Sequence, residues 1–135
     1  MRPLAWLLGV AAALYAAVCL LAFVFQRRLM YFPARYPEDA ALRAAAQLGL
    51  EPWRDASGAL MGWRAAPRGR AVARALVLHG NGGSALDRAD LAAALSGAGV
   101  EVFLLEYPGY GARPGAPALA TLASAAADAL DTARP

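Results

Sequence analysis

A glycine-rich stretch that follows a short apolar run is the part of this sequence best suited to chemistry. Residues 76–78 are aliphatic, His79 comes next, and three glycines stand at positions 80–83 before Ser84. The apolar run predicts a buried strand covered on both faces, and the glycines allow a tight turn. Such a turn at the start of a helix can point backbone N–H groups at an anion. The pattern therefore predicts a strand, a loop of N–H donors and a helix.

A second loop is predicted at the same edge of the sheet. Ser84 is a suitable N-cap for the first helix, and Asp87 completes the acidic variant of a capping box. A second apolar strand is predicted from Val100 to Leu105, and the residues E-Y-P-G-Y-G follow at 106–111. Two strands joined by one helix form a βαβ unit, whose functional loops lie at the carboxyl ends of the strands.

These motifs, in this order and spacing, resemble a known family. H-G-N-G-G at 79–83, Asp87-Arg88 and E-Y-P-G-Y-G at 106–111 resemble the N-terminal third of an alpha/beta hydrolase. The closer likeness is to the membrane-anchored subgroup related to ABHD-type serine hydrolases, which residues 26–33 also resemble. The resemblance covers most of the chain. It implies an α/β fold class: an N-terminal transmembrane helix followed by the first part of an alpha/beta-hydrolase fold, mostly parallel and ending before the nucleophile strand.

The resemblance implies a serine esterase, thioesterase or amidase, which transfers an acyl group to a serine and then hydrolyses it. The family places its nucleophile at a G-x-S-x-G elbow on the following strand, and its triad runs Ser, then Asp or Glu, then His. The sequence contains no such elbow. We therefore expect the chain to carry the oxyanion-hole loop without the triad, to be inactive alone, and to meet a small ester or acyl substrate only when completed.

The resemblance also implies roles for individual residues of the two loops. The backbone N–H of Asn81 is the expected oxyanion-hole donor, because one such donor comes from between the third strand and the first helix. The residues expected to support that loop are His79, Gly80 and Gly82. The tyrosines of the second loop, Tyr107 and Tyr110, either line the substrate pocket or cover the edge of the domain.

Two residues near the loop could be mistaken for catalytic groups. The stretch 82–86 comes closest to a nucleophile elbow, but Leu86 stands where the elbow needs a small residue, which favours Ser84 as an N-cap. His79 is the single histidine and precedes every possible triad serine, so a structural role is favoured over a general base. The chain departs from many relatives at Ala112-Arg113, where a serine is common after the glycine, which leaves the polar contacts of this loop open.

A long apolar segment near the N-terminus predicts a membrane anchor. Leu4 to Phe25 carries no charge and would span roughly 33 Å as a helix. Arg27 and Arg28 follow it, where a cleaved signal peptide would have small residues, so a retained anchor is favoured over a signal peptide. We expect a single-pass anchor in a bacterial cell membrane, with the lipid bilayer as a partner. The excess of arginines after the segment favours a cytoplasmic domain.

Composition excludes several other classes of function. All 13 basic residues are arginine and the net charge is only +3, which fits a GC-rich genome better than a nucleic-acid surface. With one histidine, and one cysteine inside the apolar segment, no metal site is expected, and no cofactor is implied. Hydrophobic residues make up 59% of the 135 residues, as expected for a membrane segment plus one small domain.

The expected organisation has three parts: residues 1–28 form the anchor with its basic flank, 29–50 a linker with a short helix, and 51–135 the partial hydrolase domain. Within the last part, 53–55 and 60–65 predict a hairpin, because Ala56-Ser57-Gly58 separates them. A helix is expected from Ser84 to about Ser96, and a last helix begins after Pro117 with its leucines at helical spacing.

Two other classes of function remain open on the sequence. Gly80-x-Gly82-x-x-Ala85 satisfies the dinucleotide-binding pattern, and Glu106 follows about 20 residues later. That interpretation needs the glycine loop to follow the first strand of the fold, whereas a hairpin precedes it here. The second alternative is a non-catalytic membrane-anchored module, which the missing triad favours.

Overall fold

The computed structural model describes residues 2–134 and divides the chain into two compact units. The first runs to Tyr31 and the second begins at Phe32. The first unit is one helix, α1 (Arg2–Met30), of 29 residues. Eighteen consecutive residues within Pro3–Met30 have a mean hydropathy of 2.6 and none of them is buried, so the helix is long and apolar enough to cross a membrane. The predicted apolar helix is therefore confirmed.

The second unit contains a mixed sheet of four strands in the order β1-β2-β4-β3. The strands are β1 (Glu51–Arg54), β2 (Leu60–Ala65), β3 (Ala73–Leu78) and β4 (Val100–Leu105). β1 and β2 form the predicted antiparallel hairpin, and β2 also pairs antiparallel with β4. β3 and β4 are parallel, from Ala73 opposite Val100 to Leu78 opposite Leu105. The predicted α/β class and the predicted βαβ unit are both present.

Helices cover both faces of this sheet. α2 (Glu38–Gln47), which precedes β1, and α3 (Ala89–Gly97), which connects β3 to β4, lie on the first face, and α4 (Leu119–Ala133) lies on the other. β4 shows the alternation directly, because Val102 and Leu104 belong to one buried cluster while Phe103 and Leu105 belong to the other. The predicted continuous helix from Ser84 is divided: a 3-10 turn (Ala85–Arg88) comes before α3.

Small side chains let these helices approach the sheet. The buried positions of α4 are Ala125, Ala129 and Ala133, whereas Leu119 and Leu130 are 79% and 48% exposed. The leucine spacing is helical, but only Leu122 is half-buried, while Leu119 and Leu130 lie outside the face that packs. Alanine allows a shorter distance between a helix and a sheet, and it loses no side-chain entropy on burial.

β3 is covered on both faces as predicted, since Val77 packs against one buried cluster and Leu76 against the other, but the strand is only partly buried. β3 pairs with β4 alone, so it forms an edge of the sheet, and its last residue Leu78 is 44% exposed. Its apolar composition is that of an interior strand, while its position leaves one row of backbone groups unpaired by any other strand of residues 2–134. β4 has the burial predicted for such a run, because strands lie on both of its sides.

A row of alternating charges crosses all four strands. Glu51, Arg64, Glu101 and Arg74 stand on β1, β2, β4 and β3, and Glu101 lies between two arginines at 2.6 and 2.7 Å. The hydrogen bond from Arg64 is the main reason that the pKa of Glu101 lies below its ordinary value, although partial burial opposes this shift. Glu101 is therefore part of the cross-strand pairing of the sheet.

Candidate functional site

Two loops meet at the carboxyl ends of the parallel strands. We call residues 79–84 the glycine-rich loop and residues 106–111 the tyrosine loop. Because Leu78 is opposite Leu105 in the register, the next residues, His79 and Glu106, leave the sheet side by side. The geometry of the site follows from this pairing.

His79 and Glu106 form a buried pair. The distance from His79 Nε2 to Glu106 Oε1 is 3.1 Å, and both side chains are 1% exposed. The other ring nitrogen, Nδ1, lies 2.9 Å from the carbonyl oxygen of Gly80, and the Tyr107 backbone N–H donates to Nε2 at 3.4 Å, so protein groups face both nitrogens. A buried imidazole whose two nitrogens both face protein groups has little capacity to act on a substrate. The structure thus gives His79 a structural contact within the loop.

The aromatic rings of the tyrosine loop surround this histidine. The ring centroids of Tyr107 and Tyr110 lie 4.9 and 5.1 Å from that of His79, both at steep angles. Tyr110 is 2% exposed, and its hydroxyl donates to Asn81 Oδ1 at 2.8 Å. Tyr107 is half-buried, and this burial raises the pKa of its phenol. Tyr110 therefore connects the two loops, and lining of a pocket by either ring stays a prediction.

Carboxylates of the protein occupy the N–H groups at the start of the 3-10 turn. The Asp87 carboxylate accepts the Ser84 N–H at 2.7 Å, as the capping-box pattern predicts. The Glu106 carboxylate accepts the Ala85 N–H at 3.1 Å and 3.3 Å through its two oxygens. Two acidic groups thus stand where a bound phosphate would have to lie. This geometry disfavours the dinucleotide hypothesis, in which Glu106 would have to reach a ribose from the surface.

Glycine at position 111 makes room for the buried carboxylate. Gly111 has φ +51°, and a Cβ built there would overlap the carboxyl group of Glu106. Any side chain at 111 would therefore displace Glu106 from His79 and Ala85. Arg113 supplies a further contact, because its guanidinium donates to the Glu106 carbonyl oxygen at 2.9 Å. Burial lowers the pKa of Arg113.

Asn81 lies at the exposed tip of the glycine-rich loop, and its side chain joins three segments. Its Oδ1 accepts the Tyr110 hydroxyl and also the backbone N–H of Phe32 at 2.9 Å. Gly82, next in the chain, has φ +84°, a conformation that glycine adopts without strain. The structure brings Asn81, His79 and Tyr110 together, as the motif spacing suggested, and it adds Phe32 from a distant part of the sequence.

Sequence reasoning missed the two most informative partners in this cluster. From the sequence, Glu106 has a role only as a possible ribose ligand, although it directly follows β4 as His79 follows β3. Placing the two predicted strand ends in parallel register would have paired them. The Phe32 contact had no comparable signal, because it joins a backbone N–H to a side chain 49 positions away.

Ser84 is not available as a nucleophile in this structure. It is 1% exposed, and its hydroxyl has no hydrogen-bond partner among residues 2–134, so no base is present to activate it. In the same part of the chain, no group of three or more His, Cys, Asp or Glu side chains could hold a metal ion. A largely apolar cavity of about 350 Å³ lies behind the glycine-rich loop, lined by Tyr36, Ala40, Ala41, Ala44, Ser84, Leu86 and Asp87.

Comparison with known proteins finds relatives in one bacterial species. The chain is 36% identical over 123 residues to the uncharacterized protein Rv2307c of Mycobacterium tuberculosis (strain ATCC 25618 / H37Rv), covering 86% of this chain and 42% of that protein. It is 40% identical over 106 residues to the uncharacterized protein MT2364 of strain CDC 1551 / Oshkosh, covering 73% of this chain and 36% of that protein. The chain thus spans less than half the length of the curated relatives it matches. No family model matches it.

Proposed function

We propose that this chain is the N-terminal part of a membrane-anchored alpha/beta hydrolase and that its glycine-rich loop supplies one donor of the oxyanion hole. One observation carries the proposal: the loop follows a parallel strand, β3, whose outer edge is unpaired by any strand of residues 2–134. A further strand on that edge would end beside the loop. A nucleophile placed there would have the Asn81 N–H nearby.

The arrangement of the strands supports this proposal. The resemblance implies that the strand ending at His79 lies between the strand ending at Tyr107 and the nucleophile strand. The observed order, β4 then β3 at the edge, agrees with that requirement. The length of the relatives supports it as well, because more than half of each lies outside the matched region and leaves room for a triad.

The chemistry divides between this chain and the remainder of the enzyme. A serine oxygen attacks the carbonyl carbon of an ester, thioester or amide, and the carbonyl oxygen gains a negative charge. The Asn81 N–H and the N–H after the nucleophile stabilise that charge. His79 and Glu106 do not touch the substrate in this mechanism. They hold the loop in place through the contacts described above.

The first test uses the chain as it stands. The purified protein is incubated with p-nitrophenyl acetate and with a fluorophosphonate probe, beside a Ser84→Ala control. We expect no turnover above the control and no labelled serine, because Ser84 is 1% exposed and lacks a base. Labelling at Ser84 would mean that the loop itself is the nucleophile elbow and would refute the proposal.

The second test supplies the missing part. Residues 1–135 replace the matched region of the full-length Mycobacterium tuberculosis relative, and the chimera is treated with the same probe. We expect one labelled serine outside the replaced region and hydrolysis of the ester. An unlabelled chimera and an unlabelled native relative would instead favour the non-catalytic membrane-anchored module.

We further propose that α1 is a retained single-pass anchor in a bacterial cell membrane, with the second unit on the cytoplasmic side. The apolar length of α1 supports insertion, and Arg27 and Arg28 in its last turn support this orientation through the excess of positive charge on that side. The bilayer is then the partner of the first unit, and a small ester or acyl compound is the substrate of the completed second unit.

A further inference from the structure

The five residues at the start of the second unit, which we call the post-helix segment (Phe32–Tyr36), contact both loops of the site. The Gly111 N–H donates to the Ala34 carbonyl at 2.7 Å, and the Gly111 carbonyl accepts the Tyr36 N–H at 2.9 Å. The Arg35 Nε donates to the Gly109 carbonyl at 3.0 Å. The Phe32 N–H donates to Asn81 Oδ1 at 2.9 Å. The segment is thus hydrogen-bonded to the tyrosine loop and to the glycine-rich loop.

Asn81 Oδ1 is the point where these connections meet. An amide oxygen has two lone pairs, and here one accepts the Phe32 N–H and the other the Tyr110 hydroxyl. Two donors from opposite segments fix the direction of the side chain and hence the position of its Cα. This is needed because the residues on both sides of Asn81 are glycines, which restrict the backbone least.

We propose that the post-helix segment is a positioning element of the site: the Phe32 N–H and the Tyr110 hydroxyl together fix the tip of the glycine-rich loop. The effect on catalysis rests on the proposed function, since an oxyanion donor must be held to within a fraction of an ångström. The effect on the conformation of the glycine-rich loop does not depend on the proposed function and can be measured without any substrate.

The donor at position 32 is a backbone group, which gives a matched pair of variants. The Phe32 side chain is 60% exposed, so Phe32→Ala keeps the N–H and removes only an exposed ring. Phe32→Pro removes the N–H itself. A second pair lies in the tyrosine loop, where Tyr110→Phe removes the hydroxyl bonded to Asn81 and Tyr107→Phe removes the hydroxyl of its half-buried neighbour.

The experiment is hydrogen exchange on the full chain in detergent micelles, followed by mass spectrometry of peptides covering residues 79–84 and 100–105. We expect loop exchange about fivefold faster or more in Phe32→Pro and Tyr110→Phe, because each loses one net hydrogen bond. Phe32→Ala and Tyr107→Phe should stay within twofold of wild type. The peptide of β4 should be unchanged in all four, which shows that the domain is folded.

Several outcomes would overturn the proposal. Unchanged loop exchange in Tyr110→Phe would do so, and so would equal acceleration in Phe32→Ala and Phe32→Pro. If Phe32→Pro also accelerates exchange in β4, this variant has unfolded the domain and gives no information on the loop. The comparison of Tyr110→Phe with Tyr107→Phe then decides whether the proposal holds. In the labelled chimera, Tyr110→Phe should lower kcat with KM unchanged. A wild-type chimera without any label refutes the proposed function alone, while the exchange data still test the positioning role.

Discussion

Removing the Glu106 carboxylate should destabilise the second unit more than any surface change. Glu106→Ala would leave the buried Ala85 N–H without its acceptor and would remove the carboxylate that lies 3.1 Å from His79 Nε2. Each lost hydrogen-bond partner costs about 1 to 3 kcal/mol, and the cavity left by a buried side chain adds to this cost. We expect the free energy of unfolding to fall by about 3 to 5 kcal/mol, a large share of the total for a domain of this size.

Urea unfolding of the full chain in micelles measures this change through tryptophan emission, because Trp53 and Trp63 are buried and become exposed on unfolding. Glu106→Gln keeps an oxygen for the Ala85 N–H, so it should cost about half as much. Glu51→Ala is the control: its carboxylate is 63% exposed in a surface ion pair, which is worth at most about 1 kcal/mol. A Glu106→Ala variant within about 1 kcal/mol of wild type would refute the reasoning.

Four further predictions follow from the rest of the structure. Gly62→Ala should prevent folding, since a Cβ at this position would overlap the backbone of β4. The control variant Gly97→Ala should be neutral, because a Cβ there has open space. A normal far-UV circular dichroism spectrum and a normal melting temperature for Gly62→Ala would contradict this prediction. Because the Arg64 hydrogen bond lowers the pKa of Glu101, its stabilisation is present above the ordinary value of 4.5 and is lost as the pH falls through the lowered pKa. In Glu101→Gln, the melting temperature should therefore fall less than in the wild type as the pH is lowered from about 5 to about 2. Parallel curves of melting temperature against pH for the two proteins would contradict this prediction. Alkaline carbonate should leave the full chain in the membrane pellet with its mass beginning at residue 1 or 2, and a soluble product starting beyond residue 25 would overturn the anchor. Expressed as residues 32–135, the second unit should aggregate through its open β3 edge. The double substitution Leu78→Lys and Leu119→Lys, at two exposed leucines, should increase the soluble fraction. A monomeric wild-type domain with a cooperative unfolding transition would contradict this prediction.

The elements of the fold were largely predictable because local pattern determines them. The predicted bounds of β2 and β4 match the structure, since an apolar run flanked by turn residues specifies a strand. The burial of β3 was not predictable in the same way. Its composition is that of an interior strand, but burial depends on which strands lie beside it, and that is a property of the whole sheet.

The site was predictable at the level of loops and not at the level of contacts. The resemblance singled out Asn81 and His79, and the structure places both of them in contact with Tyr110. The pairing of His79 with Glu106 is predictable only when the ends of the two predicted strands are aligned in parallel register, and that alignment is a property of the sheet, not of a local pattern. The Phe32 contact depends on the path of residues 32–36, and its donor is a backbone N–H. Almost every residue type has such a donor, so the residue type at position 32 does not indicate the contact.

A glycine-rich loop can bind a phosphate or an oxyanion, and the carboxylates of Asp87 and Glu106 affect these two possibilities differently. A dinucleotide phosphate would need the N–H groups of Ser84 and Ala85 at the start of the helical turn, and these are already bonded to Asp87 and Glu106. The oxyanion of the proposed function would instead meet a donor earlier in the loop, at Asn81, three residues before the first of these. The carboxylates thus exclude a phosphate from the helix start while they hold the loop in place. The occupied N–H groups therefore argue against dinucleotide binding, and they do not conflict with the proposed role of the Asn81 N–H.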